Sequence, residues 1–152
     1  MINLEILEDF QSLVNAAALE QAAQLTLKNQ GRDSTSELTI VITDNQQIQQ
    51  LNHQFRSIAV PTDVLSFPAD HTDPDSGETY LGDIIIAYPT AAAQAKKWDH
   101  LITAELQLLV IHGSLHLLGH DHANEAEKDL MWGAQAEILA QLGLHIRVER
   151  DV

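Results

Sequence analysis

Length, composition and charge already restrict the class of protein. A chain of 152 residues with 45% apolar residues suits one domain, expected over residues 1–152, that can bury about 70% of its unfolded surface. Cysteine is absent, which excludes disulfides and thiolate metal sites. Eight basic against 22 acidic residues give a net charge of −14, which disfavours a general nucleic-acid binder. Apolar runs are too short to span a bilayer and the acidic N-terminus is unlike a signal peptide, so we expect a cytoplasmic protein with no membrane partner.

The first third of the chain is predicted to alternate strands and helices. Residues 2–7 alternate apolar and polar side chains as a strand does, and residues 9–28 repeat apolar side chains at helical spacing. The β-branched segment 37–43 is typical of a buried strand. Thr43 or Asp44 can then cap a further helix, whose apolar side chains share one face.

Two more strands are predicted in the middle of the chain. Residues 63–67 read as a short strand that stops at Pro68, and an acidic loop follows it. A second apolar strand is predicted over residues 80–88. Pro89 can then occupy the first turn of a helix, because its fixed φ angle suits that position.

The last part of the chain is predicted to be helical. Residues 102–118 are apolar nearly all round, which indicates a central buried helix. Residues 123–142 are predicted to form an amphipathic helix whose inward side chains are Leu130, Ala134, Ile138 and Leu142. The expected fold class is α/β (α+β): a single domain in which one small mixed sheet packs with helices around the central helix.

Four of the eight histidines lie in the stretch HGSLHLLGHDH, residues 112–122. His112 and His116 are four residues apart, so a helix places both rings on one face, about 6 Å apart along its axis. Gly119 lets the chain turn without a Cβ penalty, and His122 can return to the same point. This is the spacing of a zinc signature, and it predicts a metal ion held by His112, His116 and His122. The alternative is that the helical histidines are core residues bonded to backbone carbonyls.

The type of ligand indicates the type of metal site. Three neutral imidazoles leave a coordination position open for water, which is the catalytic arrangement. All-nitrogen ligation favours Zn²⁺, with other late first-row divalent ions as alternatives. His120 does not fit the spacing of the other three histidines and is the weakest candidate ligand. Asp121 could orient a ligand imidazole or simply form the turn, and both interpretations stay open.

Two residues bear on the reaction. Gly113 stands where the metalloprotease signature has the glutamate that acts as general base, which disfavours a peptidase. Charge in the transition state then needs another stabilising group. Arg56, in a predicted turn before a strand, could hold a phosphate through its planar guanidinium. Its alternative roles are an ordinary ion pair with one of the many carboxylates and a cation at a helix C-terminus.

Three segments together resemble the YbeY family of bacterial endoribonucleases: HGSLHLLGHDH, FRSIAVPTDVLSFP and LGDIIIAY. The resemblance extends over about residues 37–145. It implies a YbeY-like metallohydrolase domain, with zinc held by the three histidines and a metal-bearing central helix. The functional arginine of the family corresponds to Arg56, and His112 would be both a ligand and a residue that determines activity. The family often has tyrosine where this chain has His120.

The resemblance also implies a substrate and partners. The expected activity is that of a single-strand-specific, metal-dependent endoribonuclease in 16S rRNA 3′-end maturation and ribosome quality control, with water or the RNA 2′-hydroxyl as nucleophile. RNA presented in a ribosomal particle would reconcile this activity with the acidic surface, and a ribosomal protein or a GTPase is a candidate partner. The alternatives are a metzincin-like metallohydrolase acting on amide bonds and a non-enzymatic ribosome-assembly factor with a structural metal.

Overall fold

The computed structural model describes residues 1–32, 35–56 and 62–146, with residues 55 and 56 described by their backbone alone. These ranges contain four strands and five α-helices. The strands are β1 (Ile2–Ile6), β2 (Ser36–Thr43), β3 (Val64–Thr72) and β4 (Thr79–Ala87). The helices are α1 (Ala16–Asn29), α2 (Asn45–Arg56), α3 (Tyr88–Lys97), α4 (Ile102–Leu117) and α5 (Glu125–Gln141).

The strands form one mixed sheet in the order β1-β2-β4-β3. β1 pairs with β2 and β2 with β4 in parallel, whereas β3 and β4 form an antiparallel hairpin. Parallel pairing requires crossover connections, which the helices supply. The predicted α/β class, with one small mixed sheet in a single small domain, is confirmed.

Helices cover the two faces of the sheet unequally. The main core lies between the sheet and the layer of α1, α4 and α5, and a smaller apolar cluster lies under α2 on the other face. Nearly every residue of α4 is buried, which confirms the predicted central helix. No helix in the described ranges combines the length and apolar character that crossing a bilayer requires.

The first helix begins later than the apolar spacing predicts. Residues Glu8–Phe10 form only a single 3-10 turn, and Leu13 is 57% exposed rather than inward. α1 begins at Ala16 because the side-chain Oδ1 of Asn15 accepts a hydrogen bond from the backbone N–H of Ala18, at 3.2 Å. This contact satisfies one of the amide donors that a helix leaves free at its N-terminus. The predicted start at residue 9 is wrong.

β3 also differs from the prediction, because it continues through Pro68 to Thr72. Proline is tolerated here because β3 is an edge strand, and its missing N–H costs no hydrogen bond within the sheet. The pairing with β4 shifts between Pro68 and His71, and Asp70 adopts a positive φ of 44° within this break. A strand ending at residue 67 is therefore wrong.

The inward face of α5 differs from the predicted one at its first position. Leu130 is 69% exposed, whereas Ala134, Ile138 and Leu142 contact the core as expected. Apolar side chains occur on several sides of this segment, so periodicity alone left the first inward position ambiguous. The buried residues of α5 are Met131, Gln135, Ile138 and Leu139.

Candidate metal centre

The C-terminal half of α4 brings two imidazoles together. His112 is 2% exposed and His116 is half-buried. Their rings meet edge to face, with centroids 4.6 Å apart, and their Nε2 atoms are separated by 3.0 Å. Helical spacing of four residues produces this contact, because side chains at i and i+4 lie one above the other.

A glycine-dependent turn returns the third histidine to this point. Gly119 has φ 99°, a backbone conformation that favours residues without a Cβ. Its N–H donates to the carbonyl of His116, and the N–H of His120 donates to that of Leu115, both at 3.0 Å; this is a Schellman helix end. His122 then lies with its ring centroid 5.2 Å from that of His116. The ligand nitrogens of all three predicted histidines lie within 4.8 Å of one another, a group that could hold a metal ion.

Acceptors on neighbouring elements orient both helical histidines. Nδ1 of His112 lies 2.7 Å from the side-chain carbonyl Oε1 of Gln135 on α5. Nδ1 of His116 lies 2.8 Å from the backbone carbonyl of His120. A carbonyl oxygen only accepts, so each Nδ1 carries the hydrogen and each Nε2 of the neutral ring carries a lone pair.

These lone pairs make the site fit a cation. Burial lowers the pKa of His116, and nearby His122 lowers it further, against the carbonyl of His120, which raises it; the net shift favours the neutral ring. Two Nε2 lone pairs facing each other at 3.0 Å repel unless a positive charge lies between them. Three imidazole donors, two of them with outer hydrogen-bond partners, are a typical environment for a transition-metal ion.

His120 and Asp121, inside the turn, point to other partners. Nε2 of His120 donates to Oε1 of Gln30 at the end of α1, at 2.9 Å, so this ring ties the turn to α1. Oδ1 of Asp121 accepts from the backbone N–H of His122 at 2.7 Å. Asp121 thus acts as a turn-forming aspartate, and the acceptors that contact the rings of the two helical histidines are instead Gln135 and the His120 carbonyl.

Gly113 faces the sheet. A Cβ on Gly113 would lie 2.6 Å from Cγ2 of Ile84, and the Oγ of Ser66 donates to the Gly113 carbonyl at 3.3 Å. Ser66 and Ile84 are register partners across β3 and β4. A glutamate at position 113 would therefore collide with β4, so this helix position cannot supply the general base of a metalloprotease.

Arg56 is the last residue of α2, not part of a turn as predicted. Its side chain and residues 57–61 of the FRSIAVPTDVLSFP segment lie outside the described part of the chain. The predicted role of Arg56 in binding phosphate therefore stays a prediction. Gln135 and Gln30 were missed at the sequence level. The available signal for Gln135 was a polar residue on the apolar stripe of α5, between Met131 and Ile138.

Comparisons with known proteins identify the family. A sequence model described as endoribonuclease YbeY matches residues 5–143. Relatives with this name are 42% identical over 142 residues in Dehalococcoides mccartyi strain CBDB1, covering 86% of each chain, and 45% identical over 127 residues in Carboxydothermus hydrogenoformans, covering 83% of this chain and 85% of the relative. A solution structure from Thermotoga maritima is 25% identical with a TM-score of 0.58, covering 94% of this chain and 92% of that one. The resemblance expected from the sequence is confirmed: the chain belongs to the endoribonuclease YbeY family.

Proposed function

We propose that this chain is a single-strand-specific, metal-dependent endoribonuclease that acts in the cytoplasm on the 3′ end of 16S rRNA and in ribosome quality control. The enzyme class predicted from the sequence, a hydrolase of RNA phosphodiester bonds, is the class of the family to which the chain belongs. The metal-dependent mechanism depends on one observation: the Nε2 lone pairs of His112 and His116 converge on the point that His122 also approaches.

The three histidines would hold the ion, and Zn²⁺ suits an all-imidazole set best. When bound, the ion supplies Lewis-acid polarisation of a phosphoryl oxygen. Gln135 contacts Nδ1 of His112, the ring nitrogen on the side away from the ion, so the ring is already oriented before any ion binds. Arg56 would hold a phosphate group through two parallel N–H donors, one to each of two oxygens, and stabilise the negative charge that develops there.

The acidic surface favours RNA that is held in a ribosomal particle over free RNA as the substrate. A net charge of −14 repels free RNA at long range at low ionic strength. We therefore propose that RNA is presented by a ribosomal particle, with a ribosomal protein or a GTPase as the candidate partner. Cleavage of a free oligoribonucleotide should then become faster as salt is raised from a low level. A steep fall in affinity with salt would instead mean that phosphate contacts dominate and would contradict this form of presentation.

The test of function uses untagged protein loaded with one equivalent of metal, on single-stranded RNA and on a peptide library. His116→Ala and Arg56→Ala should each lower RNA cleavage by about 100-fold or more, the usual loss when one charge-stabilising group is removed. Arg32→Ala is the matched control, because Arg32 is exposed at the end of α1 and should keep full activity. Cleavage that survives both site variants would refute the proposal.

The same assay separates the alternatives. Peptide turnover would favour a metallohydrolase of amide bonds, and bound metal with neither activity would favour a ribosome-assembly factor. RNA products that end in a 2′,3′-cyclic phosphate would assign the nucleophile to the RNA 2′-hydroxyl, whereas products with a 5′-phosphate and a 3′-hydroxyl would assign it to water, because attack by the 2′-hydroxyl always leaves a 5′-hydroxyl.

A further inference from the structure

We propose that Gln135 is a positioning residue that selects the metal-binding tautomer of His112, an inference that rests on the proposed metal role of the three histidines. Gln135 lies on α5 and is 1% exposed. Its Oε1 accepts the hydrogen bond of His112 Nδ1 at 2.7 Å, across 23 residues of sequence.

The other tautomer of His112, with its hydrogen on Nε2, also has a hydrogen-bond acceptor within reach. A hydrogen on His112 Nε2 could donate to Nε2 of His116, only 3.0 Å away. That pair would be a satisfied histidine–histidine hydrogen bond, and it would occupy both nitrogens that the ion needs. Gln135 opposes this state in the amide orientation of the structure, because its carbonyl oxygen faces Nδ1 and requires the hydrogen there. The contact therefore prepares the lone pair of His112 in the metal-free protein.

Packing alone does not explain a glutamine at this position. Its neighbours on the buried face of α5 are Met131, Ile138 and Leu139, and leucine would continue that apolar face. A buried amide is retained only where its polar atoms find partners. The second orienting contact, on His116, comes from a backbone carbonyl, so Gln135 is the orienting group that a side-chain substitution can remove.

Two variants and one control test this role. Gln135→Leu keeps approximate size but removes the acceptor, and Gln135→Glu keeps an acceptor facing His112. Gln141→Leu makes the same chemical change at an exposed position of α5. The readouts are Zn²⁺ affinity by chelator competition, without RNA, and the nitrogen that carries hydrogen in metal-free His112, by long-range ¹H–¹⁵N correlation.

Gln135→Leu should weaken Zn²⁺ binding by about 10- to 100-fold, the usual effect of losing such an outer contact, and should move the hydrogen of His112 to Nε2. Gln135→Glu should keep hydrogen on Nδ1 and keep Zn²⁺ affinity, and Gln141→Leu should match the unsubstituted protein. Packing alone would not explain Zn²⁺ affinity that is retained with glutamate at position 135 but lost with leucine.

Equal Zn²⁺ affinity in Gln135→Leu and the unsubstituted protein would overturn the inference. So would hydrogen on Nε2 of His112 in the metal-free unsubstituted protein, a measurement that decides the matter even if Gln135→Leu does not fold. Failure of the unsubstituted protein to bind Zn²⁺ or any other late first-row divalent ion would overturn the proposed function itself, and this inference with it, so the two failures are distinguishable.

Discussion

Gly113→Ala should destabilise the protein, although alanine is the better helix former. α4 lies so close to β4 that the added Cβ would be 2.6 Å from Cγ2 of Ile84, 3.2 Å from its Cγ1 and 3.3 Å from the Oγ of Ser66. Ile84 is fully buried and branched at Cβ, so its χ1 angle has little freedom to move the methyl group away. Helix and strand must then separate slightly.

Two opposing contributions decide whether Gly113→Ala raises or lowers the stability. Replacing glycine by alanine within a helix contributes about 1 kcal/mol of stability. Overpacking a well-packed core costs about 1–3 kcal/mol, and the shortest of these contacts puts Gly113→Ala at the upper end. The net loss is about 2 kcal/mol, which in a chain of this size lowers the melting temperature by about 4–8 °C.

Gly133→Ala is the matched control. Gly133 also lies within a helix, α5, but a Cβ there would meet nothing within 4 Å. Only the propensity effect remains, so the melting temperature should rise by about 2–4 °C for the ~1 kcal/mol gained. Thermal unfolding followed by circular dichroism, with chelator present to remove any metal contribution, gives both values. Equal increases in the two variants would refute the close contact of α4 and β4.

Three further predictions concern the site. A metal at 100 times its dissociation constant adds about 2.7 kcal/mol, or about 5–11 °C in melting temperature; His122→Ala should abolish this difference between metal-loaded and chelator-treated protein. His120→Ala should lower stability by about 0.5–1.5 kcal/mol through loss of its ring contact with α1, yet leave Zn²⁺ affinity unchanged in a chelator competition. Arg56→Lys should reduce RNA cleavage at unchanged Zn²⁺ affinity, because lysine keeps the charge but lacks the planar pair of donors.

Much of the fold follows from local pattern. The strands β1, β2 and β4 are predicted because alternation and β-branched apolar runs are local properties of the sequence. The spacing of His112, His116 and His122 carries the same kind of information, since helix geometry and one glycine turn fix where the rings go. The histidine cluster can therefore be predicted from the sequence alone.

The misplaced boundaries have non-local or competing causes. A capping side chain at Asn15 competed with apolar spacing that began several residues earlier, and the cap determines where the helix starts. Pro68 normally ends a strand, but its position on the edge of the sheet removes the penalty. Edge or centre is a property of the assembled sheet, so periodicity within β3 could not reveal it.

Tertiary contacts determine which ring nitrogen of His112 carries the hydrogen. The sequence motif supplies three imidazoles, yet His112 can bind an ion shared with the other two only if the nitrogen that faces them, Nε2, is unprotonated. For His112 that condition depends on Gln135, whose position follows from the apolar packing of α5 through Met131, Ile138 and Leu139. Metal affinity is thereby coupled to the docking of α5 on the central helix. A substitution that loosens this apolar face would weaken metal binding without touching any histidine.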